Sequence, residues 1–286
     1  MFEDFKYIQQ IKLQRAAIEE AIRPKLIIVC GGLGGGKSSW LACRGVESMS
    51  PAFAQRALQE CNAKVDELNK GGFASFTHQR DHLTYSTFRI EGPLGSGLAS
   101  KDIDLSRFGL RSAKNPNPQI FPRGSTIIYD ESQNGLNSRD GGVADNISGW
   151  FEFSRQGGYT VYLAGQRERR IDLNARELAQ KIIECDGVEF VRDKIGRVVK
   201  TVWTCYEFDN CFAIDKYLQS GKDKKLGKKV KYMFAGDIRN HYDHNAYEGV
   251  YYAGAEKRDY DCAESLKKAL TVDAVRELTQ KKFIVT

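Results

Sequence analysis

The chain has 286 residues, and 41% of them are hydrophobic, which is ample for a large buried core and excludes a disordered chain. Its 43 Lys and Arg residues exceed its 37 Asp and Glu residues, so the formal net charge of +6 is compatible with an anionic partner. No stretch approaches the roughly 18 consecutive apolar residues of a membrane span, and the N-terminus is acidic where a secretory signal would be basic. We therefore expect a globular cytoplasmic protein whose seven cysteines are reduced thiols.

The first predicted element is an amphipathic helix over residues 1–24. Apolar residues recur there at helical spacing, and Pro24 ends the pattern. Such a helix would either pack on the core or form an arm for a neighbouring subunit. The apolar run 26–30 follows directly and predicts a buried strand.

A glycine-rich loop follows this strand and leads into a predicted helix. Residues 31–38 have the sequence GGLGGGKS, which fits the pattern G-x-x-x-x-G-K-[ST] of a phosphate-binding P-loop. Its backbone amides can surround phosphate oxygens at a helix N-terminus, where the helix dipole also favours an anion. Lys37 would contact the β- and γ-phosphates of ATP, and Ser38 would ligate Mg²⁺. The predicted nucleotide-binding residues are Gly31, Gly32, Leu33, Gly34, Gly35, Gly36, Lys37, Ser38 and Ser39.

The next predicted elements are a long helix, two weak strands and an insertion. Pro51 begins a helical pattern over 53–68, which ends before two glycines. The runs 73–77 and 85–90 favour β-structure. Residues 92–122 have little apolar pattern and are rich in Gly, Ser, Asn and Pro, so we interpret them as a long surface insertion.

Two acidic residues end the next predicted strand. The apolar run 125–129 leads directly to Asp130 and Glu131. In P-loop ATPases generally, the first acid of such a pair holds the metal ion and the second polarises the attacking water, so we assign metal binding to Asp130 and catalysis to Glu131. A further strand over 159–164 ends before Gln166, which could reach the γ-phosphate or the attacking water. A polar residue that only caps a strand end is the alternative for Gln166.

The succession of strands and helices predicts an α/β fold. A central, mainly parallel sheet flanked by helices would carry the P-loop, and the segments 187–191 and 197–208 add an antiparallel hairpin. A final amphipathic helix is predicted over about 263–281. We divide the chain into an N-terminal helix, an ATPase domain and a basic C-terminal extension, which cover residues 1–24, 25–210 and 211–286.

Basic residues are candidates for two further tasks. An arginine from a neighbouring subunit often neutralises the charge that develops on a transferred phosphoryl group. The sequence offers five candidates for this arginine: Arg155, Arg167, Arg169, Arg170 and Arg176. A block of lysines is either a track for DNA phosphates or an ordinary solvated loop, and it comprises Lys222, Lys224, Lys225, Lys228, Lys229 and Lys231.

From the P-loop onward, the motifs resemble those of the Zot-like ATPases, the zonular occludens toxin and filamentous-phage assembly family within the FtsK/HerA-type motor group. Besides the P-loop, the segments that carry the resemblance are IIYDESQN at 127–134, NSRD at 137–140, FSRQGGY at 153–159, AGQ at 164–166, ID at 171–172 and AREL at 175–178. The resemblance covers about residues 25–210, and HYD at 241–243 is a weaker echo.

The resemblance implies a phage or prophage protein that hydrolyses ATP to move DNA during virion assembly, with a multimeric ring as the working form. It suggests Arg155 and Arg176 as the arginines nearest the nucleotide or the subunit seam. Members of the family usually carry a transmembrane helix after the ATPase region, and this sequence shows none. A membrane anchor would therefore come from another phage assembly or membrane protein, and packaging in the host cytoplasm stands beside export and extrusion as the expected task.

Two other classes of function are compatible with a P-loop. A small-molecule or nucleotide kinase shares the strand, loop and helix, and the run RERR at 167–170 could form its lid. A non-catalytic interaction protein could hold a structural nucleotide. Adjacent Asp130 and Glu131 favour water as the acceptor of the phosphoryl group, so we expect hydrolysis of ATP with Mg²⁺ as cofactor.

Overall fold

The computed structural model describes residues 25–70, 77–113, 115–132, 149–151, 154, 157–167, 169, 171 and 173–242. These residues belong to one compact unit, Met1–Asp243. The second unit, His244–Thr286, lies outside the described residues, as do the helices predicted over 1–24 and 263–281. Arg155, Arg170 and most of the run 73–77 are also outside them.

The described elements comprise eight strands and four α-helices. They are, in chain order, β1 (Lys25–Cys30), α1 (Lys37–Ser48), α2 (Pro51–Lys70), β2 (Thr84–Ser86), β3 (Lys101–Asp102), β4 (Thr126–Tyr129), β5 (Thr160–Ala164), α3 (Leu173–Leu178), β6 (Lys181–Arg192), β7 (Val198–Phe208), α4 (Cys211–Gln219) and β8 (Lys228–Ala235). Short 3₁₀ turns cover Leu105–Arg107 and Ile238–His241. The long predicted helix that begins at Pro51 is confirmed as α2.

The described strands form one eight-stranded sheet with the order β3-β2-β4-β5-β1-β6-β7-β8. In this order, the six strands from β3 through β6 are parallel to one another. Strands β7 and β8 continue the sheet with antiparallel pairing. Strands β1, β4 and β5 are apolar runs because helices cover both faces of a parallel sheet. The predicted α/β class with a mainly parallel sheet is confirmed.

Helices cover the two faces of the sheet. On one face, Trp40 of α1 is 1% exposed and meets Tyr162 of β5 edge to face, with ring centroids 5.8 Å apart. On the other face, Tyr217 of α4 packs 5.0 Å from the ring of Phe208 in β7. Fully burying one such large apolar side chain stabilises the folded state by about 2 kcal/mol. Helix packing on both faces therefore holds the strands of the sheet in fixed positions.

The segment 92–122 is less superficial than its sequence suggests. It contributes the edge strand β3, and Ile103, Phe108 and Phe121 are buried in the main core cluster. Ile120, in contrast, is 84% exposed. The interpretation as a surface insertion was wrong for the three buried residues, because they lie in irregular backbone that leaves no periodic pattern in the sequence.

The sheet also continues beyond the predicted hairpin. Strand β6 begins at Lys181. Its first four residues pair with β1, and from Ile182 onward it pairs with β7, so this strand joins the parallel and antiparallel parts of the sheet. Strand β8 pairs with β7 and carries three lysines of the basic block, Lys228, Lys229 and Lys231. Among the described residues, no helix has the length and apolar character that crossing a membrane requires.

Candidate nucleotide-binding site

The sheet order brings the predicted motifs to one edge. Strand β5 lies between β1 and β4, and all three run parallel. The P-loop follows β1, Gln166 follows β5, and Asp130 follows β4 directly. Because parallel strands end at the same edge, these segments are neighbours there, and ligands of open α/β sheets bind outside this edge.

The P-loop packs tightly on strand β6. Gly31 has a φ of 141°, and a Cβ atom at this position would come within 2.4 Å of the carbonyl oxygen of Cys185. Gly36 precedes α1 with a φ of 87°, a conformation that residues with side chains rarely adopt. The glycines therefore allow the loop backbone to approach β6 and to turn into the helix.

Lys37 points back into its own loop. Its ammonium group donates hydrogen bonds to the carbonyl oxygens of Gly31 and Gly32, each at 3.1 Å. The residue is only 7% exposed. These contacts hold a positive charge at the first two glycines of the loop, where the β- and γ-phosphates of a nucleotide would be expected.

Ser38 and Asp130 link the two motifs directly. The Ser38 hydroxyl donates a hydrogen bond to Oδ2 of Asp130 at 2.6 Å, across 92 residues of sequence. The backbone N–H of Asp130 donates to Thr87 Oγ1 at 3.0 Å, which fixes the carboxylate against β2. A hydroxyl and a carboxylate side by side are the oxygen ligands that Mg²⁺ prefers, and Mg²⁺ commonly uses few protein ligands together with substrate phosphates, so the pair fits this metal ion.

Glu131 lies in a strained turn next to this pair. Its φ is 51°, which is uncommon for a residue other than glycine, and its N–H donates to Oδ1 of Asp130 at 2.9 Å. The next residue, Ser132, donates its hydroxyl to the carbonyl oxygen of Ala164 at the end of β5, at 2.9 Å. Strain of this kind concentrates at functional sites, and here two hydrogen bonds maintain it.

Gln166 reaches the beginning of the P-loop. It lines a cavity of about 450 Å³ together with Gly31, Gly32 and Arg167. Arg169 lines the same cavity and forms a salt bridge with Asp215 of α4 at 3.0 Å. The structure thus brings Gln166, Arg167 and Arg169 beside the loop, as the strand order requires.

Arg176 lies away from this edge of the sheet. It belongs to α3, and Gln180, four residues later, accepts a hydrogen bond through Oε1 from the N–H of Leu26 at the beginning of β1. The P-loop follows the opposite end of β1. Arg176 thus lies in the segment that connects the end of β5 with the beginning of β6.

Two predicted nucleotide-binding residues have distinct surroundings. Leu33 is 88% exposed at the tip of the loop. The hydroxyl of Ser39 is buried, donates to the carbonyl oxygen of Gly36 and accepts a hydrogen bond from Nε1 of Trp203, both at 2.9 Å. Since this hydroxyl is already engaged, only the backbone of Ser39 remains for a phosphate.

The structure adds site residues that the sequence patterns did not indicate. Trp203 of β7 holds α1 through Ser39, and Glu184 of β6 lines the cavity beside Gln166. Tyr242 also lies near Ser39. Burial raises the pKa of the Tyr242 hydroxyl, and a hydrogen bond with Ser39 offsets only part of this rise. The HYD echo at 241–243 was a weak sequence signal for Tyr242, and no signal marked Glu184 or Trp203.

The fold is an α/β fold with a mainly parallel sheet and a glycine-rich loop after its first strand. No protein-family model matches the sequence, and no curated protein matches it. Among solved structures, the chain is similar to the N-terminal domain of zonular occludens toxin from Neisseria meningitidis, with 16% identity and a TM-score of 0.43 over 77% of this chain and 100% of that one.

Two further solved structures have weaker similarity. The genome packaging NTPase B204 from Sulfolobus turreted icosahedral virus 2, in complex with ATP-gammaS, has 10% identity and a TM-score of 0.28 over 65% of this chain and 93% of that one. A KaiC-like protein from Pyrococcus horikoshii OT3 has 12% identity and a TM-score of 0.29 over 65% of this chain and 78% of that one.

Proposed function

We propose that this protein is a P-loop ATPase that moves DNA during the assembly of a phage or prophage, as a multimeric ring in the host cytoplasm. The observation that carries the proposal is the hydrogen bond between Ser38 and Asp130, with Lys37 inside the loop and Glu131 adjacent. This arrangement combines a phosphate-binding loop, a pair of metal ligands and an acid that can act on water.

Each residue has a task in hydrolysis. The loop amides and Lys37 bind the phosphates of ATP and orient the γ-phosphoryl group. Ser38 and Asp130 would hold Mg²⁺, which would supply positive charge beside the phosphates. Glu131 polarises the attacking water, and Gln166 contacts the γ-phosphate or that water from the end of β5.

An arginine from a neighbouring subunit completes the site in this proposal. Arg176, on α3 between β5 and β6, is the first candidate. Arg155 is the second candidate. A site that needs a neighbour's arginine is active only in an assembly, so hydrolysis and ring formation would be coupled.

The proposed contact with DNA involves the basic edge of the sheet. Lys228, Lys229 and Lys231 are exposed on β8, the last strand of the described sheet. Lysines on an edge strand also prevent pairing with other sheets, so they suit either a phosphate track or a protected edge. The remaining lysines of the block include two that face carboxylates, Lys222 with Glu184 and Lys224 with Asp186.

Other phage assembly or membrane proteins would supply an anchor if the protein acts at a membrane.

Particle mass measured in solution tests the assembly. We expect a ring of discrete mass in the presence of DNA, Mg²⁺ and a non-hydrolysable ATP analogue, and smaller species without them. Lys37→Ala should prevent the nucleotide-dependent step because it removes the charge that binds the β- and γ-phosphates. Lys194→Ala, in the exposed turn of the hairpin, is the matched control and should assemble normally. A monomer that persists under all conditions would contradict the motor and favour a kinase.

A further inference from the structure

The loop after α4 holds a lysine in a conformation that suits glycine. Gly221 and Lys222 have φ values of 73° and 70°, and the N–H of Lys222 donates to the carbonyl oxygen of Tyr217 at 2.9 Å. A lysine in the left-handed region is less stable than glycine because its Cβ atom crowds the backbone. Such strain persists where surrounding structure maintains it and is concentrated at functional sites.

The side chain of Lys222 is held by a buried carboxylate. Its ammonium group lies 2.5 Å from Oε1 of Glu184, whose side chain is only 7% exposed. Burial and a hydrogen bond with the same carboxylate raise the pKa of the Tyr217 hydroxyl. The Lys222 side chain is 56% exposed, so the cation of this ion pair is accessible from solvent while its carboxylate is buried.

This pair lies beside the P-loop. Glu184 is in register with Cys30, the last residue before the loop. Glu184 and Lys222 line two cavities, one of about 450 Å³ with Gly31, Gly32 and Gln166 and one of about 310 Å³ with Gly32 to Gly35. The ammonium group of Lys37 contacts Gly31 and Gly32, so the shared wall of the two cavities is next to the expected position of the terminal phosphates.

We propose that Lys222 is a second phosphate-binding cation of this site, held on Glu184 without nucleotide and transferred to the terminal phosphate of a bound nucleoside triphosphate. The inference rests on the proposed ATPase function. Its physical basis is competition between two anions for one ammonium group. The γ-phosphate offers several anionic oxygens, whereas the ammonium group contacts a single carboxylate oxygen when no nucleotide is bound. A diphosphate lacks that group, so Lys222 favours the triphosphate over the diphosphate.

Two substitutions that break the same ion pair should have opposite effects. Lys222→Gly removes the ammonium group and places glycine where the backbone favours it, so the affinity for a triphosphate should fall about tenfold. Glu184→Gln removes the competing charge without changing the volume, so that affinity should rise by roughly threefold. The affinity for ADP should change little in both variants. A purely structural ion pair predicts instead that both variants change the two affinities equally.

Equilibrium titration with a fluorescent non-hydrolysable ATP analogue and with fluorescent ADP, both with Mg²⁺, measures these affinities. Circular dichroism establishes that each variant is folded, and either variant alone decides the question. Lys194→Ala, in the exposed turn between β6 and β7, is the matched control and should leave both affinities unchanged. An unchanged ratio of the two affinities in Lys222→Gly, or a loss of triphosphate affinity in Glu184→Gln, would overturn the inference. If the wild-type protein bound neither nucleotide, the proposed function itself would fail.

Discussion

Replacing Glu131 by glutamine is expected to lower ATP turnover by about a thousandfold, the order of magnitude for loss of a positioned general base. Glutamine keeps the size and shape of the side chain and can occupy the same turn, but it cannot accept a proton from water. The hydrogen bond from the backbone N–H of residue 131 to Oδ1 of Asp130 does not involve the substituted side chain and remains. Binding of MgATP should therefore persist while hydrolysis stops.

Phosphate release in a single turnover, measured beside nucleotide affinity, separates these two effects. Glu67→Gln is the matched control because Glu67 is exposed on α2, which contributes no residue to the site. It should leave both quantities unchanged. Turnover close to the wild-type rate in Glu131→Gln would assign water activation to another residue. Equal loss of binding and turnover would indicate that Glu131 only maintains the local structure.

Replacing Gly31 by alanine is expected to lower the free energy of unfolding by about 3 kcal/mol. The added Cβ atom would lie 2.4 Å from the carbonyl oxygen of Cys185, and backbone at that position cannot move without shifting β6. The φ of 141° adds strain for any residue with a side chain. The loop must therefore move away from β6, and nucleotide affinity should fall with stability.

The neighbouring glycine provides the control for this substitution. A Cβ atom at Gly32 would meet no atom within 4 Å, and its φ lies outside the region that disfavours side chains. Gly32→Ala should therefore leave the unfolding free energy nearly unchanged in urea denaturation without nucleotide. Similar losses in both variants would show that general loop flexibility, rather than contact with β6, determines the effect.

The central part of the site was predictable because parallel strands carry their functional residues at one edge. The P-loop pattern and the acids after an apolar run identified Lys37, Ser38, Asp130 and Glu131 as candidates, and the sheet order brings their segments together. Gln166 followed from the same reasoning, since it is the second residue after the end of its strand. The catalytic roles of these residues remain predictions, as do those of Arg155 and Arg176.

Other features depended on contacts that no local pattern contains. Glu184 and Lys222 are 38 residues apart, and they meet only because β6 pairs with β1 and α4 returns the chain to the same edge. Strand β8 was not predicted because lysines dominate its first half, as is common at a sheet edge. Phe108 and Phe121 are buried in irregular backbone, where neither helical nor strand periodicity applies.

The most direct test of the account is the rate of phosphate release from MgATP by the purified protein, with and without DNA. We expect slow release by the wild-type protein, a clear increase when DNA is added, and release at the background level in Lys37→Ala under both conditions. Release that does not respond to DNA, or that persists in Lys37→Ala, would contradict the proposal that this P-loop drives a DNA motor.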